Sequence, residues 1–322
     1  MARVVGIGNQ SFESIRKKDT FYIDKTAFIK EWWENEDIVT LITRPRRFGK
    51  TLNMDMLRCF FSNEYKDRGE LFEGLNIWED EKYREIQGAY PVIFLSFAGI
   101  KGNTFELSRK QISDRIIDLY ESNRFLLKSD CISDTEKARY ISFLENPMDE
   151  DISFKLNELS NYLSRYYKKK VIILLDEYDT PMQEAYVNGY WNELVSFTRS
   201  FFNATFKSNP YMECAVMTGI TRVSKESVFS DLNNLKVITV ESDEYSGVFG
   251  FSEEEVFLAL DNFNLSDKKQ IVKEWYDGFT FGKQKDIYNP WSIINFLENK
   301  KIDTYWADTS SNSLIDHLMK KS

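Results

Sequence analysis

Lys50 and Thr51 are the residues of this chain best equipped for chemistry on phosphates. They close the stretch Val39-Thr40-Leu41-Ile42-Thr43-Arg44-Pro45-Arg46-Arg47-Phe48-Gly49-Lys50-Thr51, an apolar run that breaks into a basic turn and ends in Gly-Lys-Thr. In a phosphate-binding loop, successive backbone N–H groups wrap the phosphates, the lysine ammonium reaches the outer ones, and the following hydroxyl binds Mg²⁺. Arg46, Arg47, Phe48 and Gly49 would supply the turn. Counting back from Gly49 puts Arg44 where such loops usually carry a first glycine. The motif is therefore incomplete, and its surroundings have to support it.

A second constellation lies far downstream, where Val171-Ile172-Ile173-Leu174-Leu175 runs into Asp176-Glu177. Open α/β sheets place their ligands at the carboxyl ends of buried strands. There Asp176 would hold the Mg²⁺ shell and Glu177 would polarise an attacking water. The same two carboxylates also read as an acidic turn or helix cap after a core strand. The conjunction of two such motifs, each at the end of an apolar run, favours a nucleotide site. Cys214 to Gly219 ends a further apolar run, which would bring Thr218 out beside the γ-phosphate, with Arg222 following. An arginine there stabilises transferring charge, or it forms an ordinary surface ion pair.

The elements that must position these residues follow from periodicity. Ile38 to Thr43 has the length and β-branched content of a buried parallel strand, and Leu52, Met56, Leu57 and Phe60 recur at helical spacing after the loop. Pro91 to Phe97 and Lys236 to Val240 read as further strands. From Thr104 to about Lys168 the pattern is amphipathic helix, broken near Lys128–Thr135 and Asn146–Asp151, and Tyr190 to Phe206 is helical. Strands alternating with helices predict an α/β fold, a mainly parallel sheet flanked by helices. After Gly250 the chain turns helical. Ser252-Glu253-Glu254-Glu255 is a capping box, Asp267 to Tyr276 a second helix, and Asn289-Pro290 the cap and first turn of a third. We expect a nucleotide-binding domain over 1–245, with a helical insertion at about 103–168, and a small helical lid domain over 246–322. Asp24, before the helical pattern Ala27–Trp33, reads as a neighbour of that helix's cap.

With 322 residues, 42% of them hydrophobic, the chain can bury a large core. Its net charge of −9 disfavours nucleic-acid binding through overall charge. Cys59, Cys131 and Cys214 are odd in number and widely spaced, so we expect buried free thiols of a reducing, cytoplasmic compartment. No stretch has the length to span a bilayer, and a single His317 leaves no zinc-type cluster.

Several strings together carry a resemblance: Tyr22-Ile23-Asp24-Lys25-Thr26, Arg44 to Thr51, Leu175-Asp176-Glu177-Tyr178-Asp179, Thr218-Gly219-Ile220-Thr221-Arg222, Tyr276-Asp277-Gly278-Phe279 and Tyr288-Asn289-Pro290-Trp291-Ser292. Over nearly its whole length the chain resembles the AAA-ATPase-like family of bacterial P-loop proteins, related to signalling ATPases with a helical lid. In that family the Arg-Pro-Arg-Arg-Phe-Gly-Lys-Thr string is the phosphate loop, without the first glycine. The resemblance implies a P-loop NTPase fold and binding of ATP and Mg²⁺. It makes Lys50, Thr51 and Asp176 ligands, Glu177 the base, and Pro290 a nucleotide contact from the lid. Members often continue into a nuclease-type domain; this sequence has no convincing Pro-Asp followed by Glu-x-Lys, so we expect a shorter relative or a fragment, in which lid closure switches a protein partner or a missing domain.

Overall fold

Residues that alternate in and out of the strand pleat decide the architecture. β1 (Val39–Thr43), β2 (Val92–Ser96), β3 (Val171–Asp176), β4 (Met212–Gly219) and β5 (Leu235–Ile238) form a parallel sheet in the order β2-β3-β4-β1-β5. The computed structural model describes residues 4–147, 151–207, 209–221 and 228–306. Every residue of β1 and β3 is buried. Val39, Leu41, Ile173 and Leu175 face one core, while Ile42, Ile172 and Leu174 face another, because successive side chains leave a strand on opposite sides. A sheet covered on both faces needs such unbroken apolar runs. Each fully buried aliphatic side chain contributes about 1.5–3 kcal/mol.

Helices supply both covers. α1 (Phe12–Lys17), α2 (Ala27–Glu34), α3 (Lys50–Phe61) and α4 (Glu81–Ile86) precede β2; α5 (Phe105–Ser122), α6 (Asp134–Glu145) and α7 (Lys155–Tyr167) fill the interval before β3; α8 (Thr180–Asn188) and α9 (Trp191–Phe202) follow it. Phe12, Phe28, Trp32, Met56 and Phe60 pack on one face, and Ile112, Ile116, Tyr140, Leu159 and Phe201 on the other. The expected helix from Tyr190 ends at Phe202 and widens into a π-helix over Asn203–Lys207. Thr26 opens α2, and Asp24 accepts from both its N–H and its hydroxyl, as a neighbour of the cap would. Cys59 is buried, whereas Cys131 and Cys214 are only partly so; all three are free thiols.

The C-terminal region differs from expectation. It comprises β6 (Phe251–Ser252), α10 (Glu253–Asn262), α11 (Lys269–Tyr276), β7 (Phe279–Phe281), β8 (Gln284–Tyr288) and α12 (Pro290–Asn299). The capping box of Ser252 and Glu255 forms, and Asn289 caps α12 with Pro290 in its first turn. The region is not wholly helical, however, because β6, β8 and β7 pair as an antiparallel sheet. Gly282 turns the β7–β8 hairpin at a φ of +54°, and an added methyl carbon would lie 2.5 Å from the Asp243 carboxylate. A third core, with Val256, Leu260, Tyr276, Ile293 and Phe296, also takes in Val5, Phe21 and Ile23 from the start of the chain. Among the described residues no helix is long and apolar enough to cross a membrane.

Candidate functional site at the carboxyl edge of the sheet

β1 and β3 are separated by β4, and their register places Thr43 beside Gly219 and Leu175 beside Met217. The loop after β1, the Asp176 carboxylate and the end of β4 therefore meet on one edge. Between Thr43 and α3 the backbone turns through the left-handed region twice, at Arg47 (φ +68°) and Gly49 (φ +80°). Such alternation gathers neighbouring N–H groups into an anion-binding concavity. Gly49 is the N-cap of α3 and has no side chain to offer, so the positive end of a 12-residue helix opens onto the same place. Arg47 carries the strain of a non-glycine residue in that region.

Two buried cations hold the loop. The Lys50 ammonium donates to the carbonyls of Arg44 (3.0 Å) and Pro45 (2.9 Å). Burial lowers its pKa, and the nearby carboxylates of Asp179, Glu177 and Asp176 oppose that shift. Arg44, fully buried, donates to the carbonyls of Thr43 (3.0 Å) and Thr239 (2.7 Å) and lies 4.9 Å from the Phe281 ring centroid. It occupies the position of the first loop glycine, and it joins the loop to the segment after β5. Phe48 is buried against Phe279 and Phe281, so its ring fixes the loop from behind.

The acids come from β3. Asp176 is fully buried: the Thr51 hydroxyl donates to its Oδ2 at 2.8 Å and the Thr218 hydroxyl to its Oδ1 at 2.5 Å. Glu177 follows in the left-handed region at φ +52° and borders the cavity. Burial, then the Asp176 charge, raises its pKa, with Lys50 pulling the other way. Thr218 is fully buried and touches Asp176 rather than lining the cavity, so its effect on a ligand passes through that carboxylate. Arg222 and His317 lie outside the described residues.

The cavity itself holds about 380 Å³. Gly49, Lys50 and Thr51 floor it, Glu177 and Gln183 form one side, and Pro290, Trp291 and Ile294 of α12 another. Phe21, Tyr22 and Ile23 also line it, an apolar surface suited to a flat ring, with Lys25 beside them. Lys25 donates to Glu255 at 2.6 Å and to the Gly247 carbonyl at 2.8 Å, tying the wall to α10. The Arg47 guanidinium stands 4.3 Å from the centroid of the Trp291 ring, and the Trp306 indole donates to the Arg46 carbonyl at 3.2 Å. Arg46 also reaches Gln183 at 3.4 Å.

The expected residues Arg46, Arg47, Gly49, Lys50, Thr51, Glu177 and Pro290 thus surround one cavity, with Asp176 and Thr218 beneath it. Three contributors went unassigned from sequence: Trp291, Gln183 and Asp179. For Asp179 the available signal was its spacing, two residues after Glu177 and three after Asp176.

Comparison with known proteins identifies the family. The uncharacterized protein in the vnfD 5′ region of Azotobacter chroococcum mcd 1 is 26% identical over 316 residues, covering 97% of this chain. This chain spans only 55% of that protein's length. The model of the AAA-ATPase-like family, described as predicted AAA-ATPases, matches residues 6–229. The chain belongs to that family.

Proposed function

We propose that this chain binds ATP with Mg²⁺ at the carboxyl edge of the sheet and hydrolyses it, with the C-terminal region closing over the nucleotide as a lid. The observation that carries this reading is the 2.8 Å contact between Thr51 and Asp176, which joins two motifs 125 residues apart. A hydroxyl and a carboxylate at the mouth of a phosphate loop are hard oxygen donors suited to Mg²⁺, which is commonly held by one or two such groups together with the phosphates themselves. Held by Thr51 and Asp176, Mg²⁺ would supply positive charge to offset that of the phosphates.

The loop amides and the Lys50 ammonium bind the β- and γ-phosphates. Lys50 would exchange the Arg44 and Pro45 carbonyls for phosphate oxygens, a stronger set of acceptors. Glu177 accepts the proton of the attacking water as its oxygen bonds to the γ-phosphorus and the bond to the bridging oxygen breaks. Its raised pKa makes it a better base than an exposed carboxylate. Thr218 orients Asp176. The nucleotide's purine ring would lie against Phe21, Ile23 and Ile294, and Pro290 and Trp291 bring the lid to the loop. Residues 1–245 act as the nucleotide-binding domain and 246–322 as the lid, whose movement switches a partner or a further domain.

Calorimetric titration of ATP, ADP and GTP with Mg²⁺ into wild type and Lys50→Ala, followed by phosphate release on the same samples, tests this. Binding that is lost in the variant, with release by wild type, is the expected result. Unchanged affinity in Lys50→Ala would overturn the site. Binding without release would reduce the protein to a nucleotide-dependent interaction module.

A further inference from the structure

We infer that Asp179 is a positioning residue, which holds the Glu177 base and the Asp176–Thr218 pair in working geometry by clamping the loop after β4; this rests on the hydrolytic reading above. Asp179 is 1% exposed. Its Oδ2 accepts from the N–H groups of Ile220 (3.0 Å) and Thr221 (2.8 Å), from the Thr221 hydroxyl (2.7 Å) and from the Gln183 amide (3.0 Å). Four donors on one oxygen of a buried carboxylate fix a loop firmly, because every one of them would otherwise lose a partner. Tyr178 completes the clamp: its N–H donates to the Thr218 carbonyl at 2.9 Å and its hydroxyl to the Thr221 carbonyl at 2.7 Å.

The clamped loop follows directly on the end of β4, where Thr218 governs the acids. Thr218 donates to Asp176 and accepts from the Glu177 N–H at 3.4 Å. Glu177 is held in a left-handed conformation that its own backbone disfavours, and such strain persists only where the surroundings enforce it. Gln183, which borders the cavity, links the clamp to Arg46 of the phosphate loop. Movement of the loop after β4 would thus displace Thr218, and with it the base.

The experiment compares wild type, Asp179→Ala and Asp179→Asn. Asparagine keeps an acceptor for the Ile220 and Thr221 donors while removing the charge; alanine removes both. Asp179→Ala is expected to bind ATP within about threefold of wild type but to release phosphate about a hundredfold more slowly, the scale of a small misplacement of a reacting group. Asp179→Asn is expected to recover most of that rate. Hydrogen exchange at the Ile220 and Thr221 amides should rise in Asp179→Ala and stay low in Asp179→Asn, with global unfolding temperatures of both confirming that they fold. Turnover by Asp179→Ala within threefold of wild type, or no rescue by asparagine, would overturn the clamp, as would unchanged exchange at those amides. If wild type binds ATP but never turns over, hydrolysis itself fails and this role falls with it, a result distinct from an active wild type with an indifferent Asp179.

Discussion

Restoring glycine at position 44 would make the phosphate loop look conventional, and it should damage the protein. Arg44 donates two short bonds to the carbonyls of Thr43 and Thr239, and two of 3.5 Å to those of Glu244 and Tyr245. It lies between the rings of Phe249 and Phe281. Among the described residues its Nε has no partner, and burial pushes its pKa down to about 10, so it remains cationic at neutral pH. A charged donor contributes about 1.5–3 kcal/mol per good bond, and a desolvated cation–ring contact about 2 kcal/mol. The cost of burying the cation offsets much of this. Deleting the side chain leaves a cavity lined by phenylalanines and four carbonyls without their donor, so the net loss should be about 3–5 kcal/mol.

For a chain of this size that corresponds to a fall in Tm of about 4–7 °C. Thermal and urea unfolding of Arg44→Gly measure it, with Arg44→Lys beside it. Lysine keeps the charge but not the planar fork, and should recover less than half of the loss. ATP titration of the folded fraction should show weaker binding, since the loop loses its anchor to the segment after β5. A Tm within about 2 °C of wild type, or tighter ATP binding in Arg44→Gly, would refute this account of the loop.

Four other outcomes follow from contacts around the cavity. Glu177→Gln should keep ATP affinity and release phosphate about 10²–10⁴ times more slowly. In wild type the rate should fall as pH drops through a value above the usual carboxylate range, because the base must be deprotonated and burial beside Asp176 raises its pKa; a limb at or below pH 4 would count against Glu177. Gly219→Ala should cost about 1–3 kcal/mol in denaturant unfolding, since the added carbon would lie 2.5 Å from the Tyr178 ring and 2.8 Å from Asp179. Glu255→Gln preserves the capping box that glutamine also makes but breaks the ion pair with Lys25, a lysine only 8% exposed. With Glu255 29% exposed and the Gly247 carbonyl still accepting from Lys25, it should cost about 1–2 kcal/mol and weaken nucleotide binding at the cavity wall, which calorimetry and unfolding read separately.

What the sequence made legible was whatever depends on short-range pattern. The apolar runs ending at Thr43, Asp176 and Gly219 emerged within a few residues of their observed bounds, because a strand buried on both faces leaves an unbroken run. Ser252 and Asn289 were legible as caps for the same reason: a cap acts on N–H groups two or three residues away. The β7–β8 hairpin escaped, since three residues of alternation at Phe279-Thr280-Phe281 give too little period; Gly278 and Gly282 on either side were its signal.

The residues that hold the site together, unlike those that face a ligand, act through backbone carbonyls and amides of distant segments. Arg44 reaches Thr239 across 195 positions and Asp179 reaches Ile220 across 41. A carbonyl is the same in every residue, so neither partnership leaves a mark on the chemistry of its acceptor or donor. Lys50, Thr51 and Asp176 stand out in the sequence because the phosphate and Mg²⁺ roles proposed for them demand particular side chains. Arg44 reads by spacing as a gap in the motif and by resemblance as usual for the family, but only the fold shows four main-chain oxygens around it. An irregular residue inside an otherwise recognisable loop is therefore better evidence of a structural anchor than of a degenerate site, and position 44 is where that inference is put at risk.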